Sequence, residues 1–225
     1  MATVLLIGAS RGIGLELARQ YREDGWRVIA TARNSDGLER LKGLGCETLR
    51  VDVTDPASNS GLTWQLDGEK LDLAVYVAGV GDRDTAVSPP TREKFDLLMQ
   101  TNAMGPMMVL PQIAPMLAQS SGTFAVISSH FGSLTLTETS LAVLYRMSKV
   151  ALNMYIRCAQ HDFPEIGCVA LHPGWVQTDM GGPQAPVKVQ DSAASLRETL
   201  ESVRTQRDPK HRGAFLNHDG STLPW

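Results

Sequence analysis

The sequence predicts an α/β fold, a doubly wound parallel sheet of about seven strands with helices on both faces. Three observations carry that expectation. Short runs that are apolar throughout alternate with segments of helical periodicity along the whole chain. Strands buried on both faces read this way, because helices cover each side of a parallel sheet. A glycine-rich turn directly follows the first apolar run, where such sheets receive ligands. The chain has 225 residues and 43% apolar content, enough to bury one sizeable core and too much for disorder.

The expected strands cover residues 4–7, 27–32, 48–52, 71–78, 123–129, 168–172 and 214–217. The expected helices cover 13–23, 36–42, 91–117, 140–161 and 192–206. In the first helix Leu17, Ala18 and Tyr21 share a face. The 91–117 segment carries Pro106, Pro111 and Pro115, each lacking a backbone donor, so a bent or interrupted helix is expected there. Gly and Pro punctuate 181–190, the best candidate for a mobile loop. No linker composition divides the chain, so residues 1–225 read as one domain.

Composition narrows the function classes. A formal charge of −3 lacks the basic footprint of a nucleic-acid binder. No run approaches the ~20 apolar residues of a membrane helix, and no leader-like segment opens the sequence. Cys46, Cys158 and Cys168 lack disulfide or zinc spacing and read as reduced thiols. The expectation is a cytoplasmic protein with a small-molecule partner, without nucleic acid, membrane or metal.

The turn Gly8-Ala9-Ser10-Arg11-Gly12-Ile13-Gly14 joins the first strand to the first helix. Glycines let the backbone approach a pyrophosphate, and the helix start offers free N–H groups and a positive dipole end. A carboxylate that would read ribose hydroxyls is missing after the second strand, where Ala32 and Arg33 stand. Arg33 suits a 2′-phosphate instead, and the glycine spacing resembles that of the short-chain dehydrogenase/reductase family, in which Arg11 would lie near the same spot; two arginines and no carboxylate favour NADP(H) over NAD(H).

Tyr145 and Lys149 are four apart, on one face of a helix. Ser129 ends the preceding strand, and Asn102 lies in the long helical segment before it. Reducing a carbonyl places hydride on carbon and a proton on oxygen. A phenol, with an ordinary pKa of about 10, is a weak acid unless a nearby cation favours the phenolate, and Lys149 is expected to lower it.

With the glycine spacing, this set resembles the short-chain dehydrogenase/reductase family with its Rossmann-type fold, and the resemblance runs along the whole chain. It implies a catalytic set of Asn102, Ser129, Tyr145 and Lys149. The second serine of Ile127-Ser128-Ser129 is the catalytic one in that pattern. Asn102 would bend its helix and hold a relay water, and Lys149 and Tyr145 would also face the cofactor. Asp52-Val53 resembles the adenine-contacting pair, and Ala78-Gly79 the end of an Asn-Asn-Ala-Gly motif whose asparagines are here Tyr76-Val77. That motif helps tie the central sheet together, so altered hydrogen bonding is expected. Pro173, Gly174, Val176 and Thr178 match the loop that closes on the nicotinamide carboxamide. His130, Trp175 and Met180 are candidate substrate contacts. Tyr145 lies 16 positions beyond Ser129, a longer gap than usual for the family, with the extra residues within 134–140. Gly213-Ala214-Phe215, Asp219-Gly220-Ser221 and Pro224-Trp225 point to a subgroup similar to C-factor and the sniffer carbonyl reductases.

The resemblance implies an NADPH-dependent carbonyl reductase, acting as a homodimer or homotetramer. A sugar-nucleotide epimerase shares the Tyr/Lys pair but usually adds a substrate domain after the sheet. A non-enzymatic NADP(H)-binding regulator on the same fold would need no proton donor.

Overall fold

The computed structural model describes residues 1–206 and 208–225. Seven parallel strands form one sheet in the order β3-β2-β1-β4-β5-β6-β7. They are β1 (Thr3–Ile7), β2 (Arg27–Ala32), β3 (Glu47–Arg50), β4 (Leu73–Tyr76), β5 (Thr123–Ile127), β6 (Gly167–His172) and β7 (Ala214–Asn217). Between them run α1 (Gly12–Glu23), α2 (Ser35–Gly43), α3 (Pro56–Ser60), α4 (Leu62–Gln65), α5 (Arg92–Met99), α6 (Gly105–Ala118), α7 (Val143–Asp162) and α8 (Val189–Gln206). The short α3 and α4 have no counterpart in the sequence-based expectation, because four or five residues are too few to show a period.

Alternation along each strand explains the two cores. Leu5 and Ile7 of β1 face one side and Val4 and Leu6 the other. The first side packs on Val109, Leu110 and Ile113 of α6 and on Leu152 and Ile156 of α7. The second packs on Leu17 and Tyr21 of α1 and on Leu196 and Leu200 of α8. Strand order reverses between β1 and β4, and the crevice above that point is where such sheets bind ligands.

The long helical segment is interrupted, as expected, but not at its inner prolines. A π-helical turn at Gln100–Met104 separates α5 from α6. Pro106 sits in the first turn of α6, where its missing donor costs little, and Pro111 and Pro115 lie inside a continuous helix. The expected mobile segment 181–190 is tied down. Val176 bridges Val187, Gln177 N–H donates to the Val187 carbonyl at 2.9 Å, and α8 begins at Val189. No helix among the described residues is long and apolar enough to cross a membrane.

Candidate active site

The glycine turn is fixed by its neighbours. Gly8 has φ +82°, and a Cβ there would lie 2.5 Å from the Ala78 Cβ, so the turns after β1 and β4 touch only because Gly8 has no side chain. Its N–H donates to Thr31 Oγ1 at 3.0 Å, and the Ala9 N–H to the Thr31 carbonyl at 3.0 Å. Buried Thr31 thus anchors the turn, a role that sequence reasoning missed. Helix α1 starts at Gly12, with Ile13 and Gly14 in its first turn. Among the described residues it has neither a side-chain cap nor an acidic first-turn residue. Its first N–H groups and positive end are therefore available to an anion, and the narrow cradle fits a pyrophosphate.

The cations lie at the same end of the sheet. Arg11 pairs with Asp179 at 3.0 Å, both well exposed. Ser10 packs against the first turn of α2, where a Cβ on Gly37 would meet its own at 2.7 Å. Arg33 follows β2 and is exposed. A third arginine went unnoticed in the sequence: Arg50, paired in register with Ala32, donates to the Arg33 carbonyl at 3.2 Å and to Ser35 Oγ at 3.0 Å. Strand periodicity carries that signal, since Arg50 closes β3 beside the end of β2. Asp52 accepts from the backbone N–H and hydroxyl of Thr54 at 3.0 and 2.7 Å, which hold its carboxyl below the usual range. Val53 beside it is buried, and its carbonyl accepts from Asn59.

Beyond β4, the Val77 and Ala78 N–H groups both donate to the Ile7 carbonyl, at 2.9 and 3.0 Å. The strand therefore ends at Tyr76, short of the expected Ala78. A Cβ on Gly79 would stand 3.5 Å from Asn102 Oδ1 and 3.7 Å from Lys149 Nζ, so the structure brings these three together. Asn102 lies in the π-turn, fully buried. Its amide accepts from Val80 N–H at 2.9 Å and donates to the Val80 carbonyl at 2.7 Å and to Ser148 Oγ at 2.9 Å. Tyr76 takes over the tie lost with the asparagines. Its hydroxyl donates to the Thr101 carbonyl at 2.7 Å, in a slot where a Cβ on Gly105 would lie 2.1 Å from the phenol oxygen.

The two serines after β5 are separated by their partners. Ser128 Oγ donates to Asn153 Oδ1 at 2.6 Å, inside the fold. Ser129 Oγ accepts from Phe131 N–H at 3.1 Å and stands near enough to the Tyr145 phenol to favour its ionised form. Lys149 Nζ donates to the Ile127 carbonyl at 2.7 Å and lies 5.6 Å from the Tyr145 ring centre. The expected lowering of the phenol by Lys149 is not what this geometry gives. Burial pushes Tyr145 up to about 12, with Ser129 pulling the other way, and burial pushes Lys149 down to about 7. Desolvation disfavours the charged form of each group.

The loop after β6 closes over the glycine turn. Thr178 Cγ2 would be 3.4 Å from a Cβ on Gly12, and Met180 Sδ 3.3 Å from one on Gly81. Trp175 Nε1 donates to the Gly181 carbonyl at 2.8 Å, leaving its ring half exposed. Val176 is buried, Gly174 rests against His218, and the Pro173 carbonyl accepts from Ser192 Oγ at 2.7 Å. His130 packs edge-on against His172 with ring centres 4.8 Å apart. Burial, then the two neighbouring imidazoles, push His172 down to about 3. The 134–141 stretch is exposed and pinned through Thr135, whose N–H and hydroxyl donate to the Trp225 carbonyl at 3.1 and 2.8 Å.

Known proteins share this sequence pattern and fold. C-signal of Myxococcus xanthus is 35% identical over 158 residues, 69% of this chain and 93% of that one. The carbonyl reductase Sniffer of Drosophila melanogaster superposes with a TM-score of 0.91 at 27% identity, covering 100% of both chains. A carbonyl reductase from Pseudomonas aeruginosa in complex with NADP gives 0.86 at 31% identity, again over 100% of both. The family model for short chain dehydrogenases matches residues 2–188, and the chain belongs to that family of oxidoreductases.

Proposed function

We propose that this oxidoreductase uses NADPH to reduce a ketone or aldehyde to an alcohol, with Tyr145 as the proton donor. The observation that carries the reading is the convergence of Tyr145 with Ser129 on its phenol, and of Lys149 and Asn102 at Gly79, beside the glycine turn. The backbone of residues 8–14 would hold the pyrophosphate, with Arg11 and Arg33 on the 2′-phosphate. Asp52, Val53, Ala78 and Gly79 would line the adenine and ribose side, and 173–178 the nicotinamide side. When bound, NADPH supplies the hydride. A phenol raised to about 12 keeps its proton through neutral pH, the state needed for donation. Ser129 holds the substrate oxygen and steadies the charge that develops on it. Lys149 Nζ, buried and donating to the Ile127 carbonyl at 2.7 Å, would hold the nicotinamide ribose when the cofactor is bound.

Trp175 and Met180, on the loop after β6, and Leu134 and Leu136, after Ser129, are exposed apolar side chains, which supports an apolar carbonyl compound as substrate. His130, half-buried after Ser129, lines the inner wall. Exposed Met107 on α6 and Met147 and Met154 on α7 support pairing of copies through these helices, as a homodimer or homotetramer. Residues 1–225 act as one unit, consistent with a single sheet.

The test is NADPH oxidation against a panel of ketones and aldehydes, run beside NADH. Tyr145→Phe is expected to cut kcat by about 10²–10⁴-fold while NADPH still binds. Retained turnover removes Tyr145 from the chemistry. Equal rates with NADH remove the arginines from cofactor choice.

A further inference from the structure

The segment leaving β4 carries a carboxylate that neither the cofactor turn nor the proton-transfer set explains. The Asp82 side chain is 1% exposed. Its Oδ1 accepts from the Tyr145 backbone N–H at 3.1 Å. Its Oδ2 is buried without a hydrogen bond among the described residues, with Lys94 Nζ 4.0 Å away. Lys94 is held by a closer ion pair to Asp84. Burying a carboxylate with one oxygen unbonded is costly, so its single strong contact is informative.

That contact falls on the first turn of α7, which lacks an ordinary cap. Ala142 stands at the cap position with φ +60°, and its side chain can accept nothing. The free N–H groups are satisfied instead by the distant segment: Val143 N–H donates to the Asp84 carbonyl at 3.1 Å and Tyr145 N–H to Asp82. The other side of the same peptide chain is gripped from the same place. The Tyr145 carbonyl accepts from Ser148 Oγ at 2.7 Å, Ser148 accepts from Asn102, and Asn102 holds both polar groups of Val80. Residues 80–84 therefore clamp Tyr145 by its backbone N–H and, through two side chains, by its carbonyl. A helix side chain leans toward the helix start, so the first turn sets where the phenol lies.

We propose that Asp82 is a positioning residue, holding the first turn of α7 so that the Tyr145 phenol stays in register with Ser129. This rests on the reading of Tyr145 as proton donor. Asp82→Ala and Asp82→Asn in the full chain test it through three readouts. These are NMR amide exchange at Tyr145 without cofactor, NADPH affinity, and kcat for a carbonyl substrate. Asp82→Ala should speed Tyr145 amide exchange and lower kcat by about ten- to hundredfold, the usual effect of a small misplacement, with NADPH affinity kept. Asp82→Asn retains an acceptor oxygen and should restore protection and most of kcat. A general structural role predicts a different pattern, in which NADPH affinity falls with kcat and Asn gives no rescue; that pattern overturns the proposal. So does unchanged exchange or unchanged kcat in Asp82→Ala. If the alanine variant does not fold, Asp82→Glu replaces it: its longer side chain displaces the acceptor and should lose kcat where Asn keeps it, and equal behaviour overturns the proposal. A wild-type chain without reductase activity sinks the functional reading and the proposal with it; an active wild type whose Asp82→Ala variant keeps its kcat sinks the proposal alone.

Discussion

The turn after β1 and the segment after β4 face each other across the switch point, yet they are built by opposite means. The first is made of backbone: positive φ at Gly8, close approach to Ala78, and N–H groups held by Thr31. The second is made of side chains brought from far along the chain. Asn102 grips Val80, Asp82 reaches Tyr145, and Tyr76 reaches Thr101. A backbone device announces itself in a few consecutive residues. A side-chain device needs a partner whose identity depends on the finished fold.

The largest expected effect comes from spoiling the backbone device. Gly8→Val adds a branched side chain at φ +82° and against the Ala78 Cβ. It should cost about 2–4 kcal/mol and abolish NADPH binding, read by denaturant unfolding and cofactor titration. A stable variant that still binds NADPH would break the distinction between the two regions. Next comes Tyr76→Phe, which leaves the buried Thr101 carbonyl unpaired and should cost about 1–3 kcal/mol. It also sharpens the contrast, because the cost belongs to a pair: Gly105→Ala should be less damaging in the Tyr76→Phe background than alone, measured as a double-mutant cycle.

This contrast explains what the sequence disclosed. The seven strands and five helical segments, one of them broken into α5 and α6, were legible, because period and apolar runs are local. So were the glycine turn and the Ser129, Tyr145 and Lys149 grouping, which a familiar spacing marks. The bend at Asn102, implied by the resemblance, falls in the π-turn, whereas Pro111 and Pro115, which could each interrupt a helix, lie inside a continuous one. Asp82 was invisible because its partner lies 63 residues away, and Tyr76 read as a lost asparagine rather than as a new tie. Arg50 was within reach, since parallel register sets it beside Ala32.

The smallest expected effect is on pH dependence. His172 has its imidazole pushed down to about 3 from an ordinary value of 6.5. Between those values the unfolded chain takes a proton that the folded chain refuses. Stability is therefore full above pH 6.5 and is lost as pH falls from 6.5 toward 3. From neutrality to one unit below that ordinary value the loss should be roughly 1 kcal/mol. Thermal melts across this range should show a shallower acid decline for His172→Gln. An unchanged slope would move the acid sensitivity elsewhere.

The strand order has a consequence for how the chain is made. Synthesis delivers β1 first, then β2 and β3, which add outward on one side. β4 then returns to the free edge of β1, and β5, β6 and β7 add outward in turn on the other side. Every strand after β1 therefore meets an edge that already exists when it leaves the ribosome. Parallel pairings of long sequence separation form slowly and expose edges meanwhile. An order in which each strand after the first adds to an edge already made shortens that exposure, and the free edge of β1 is the one that waits longest, until β4.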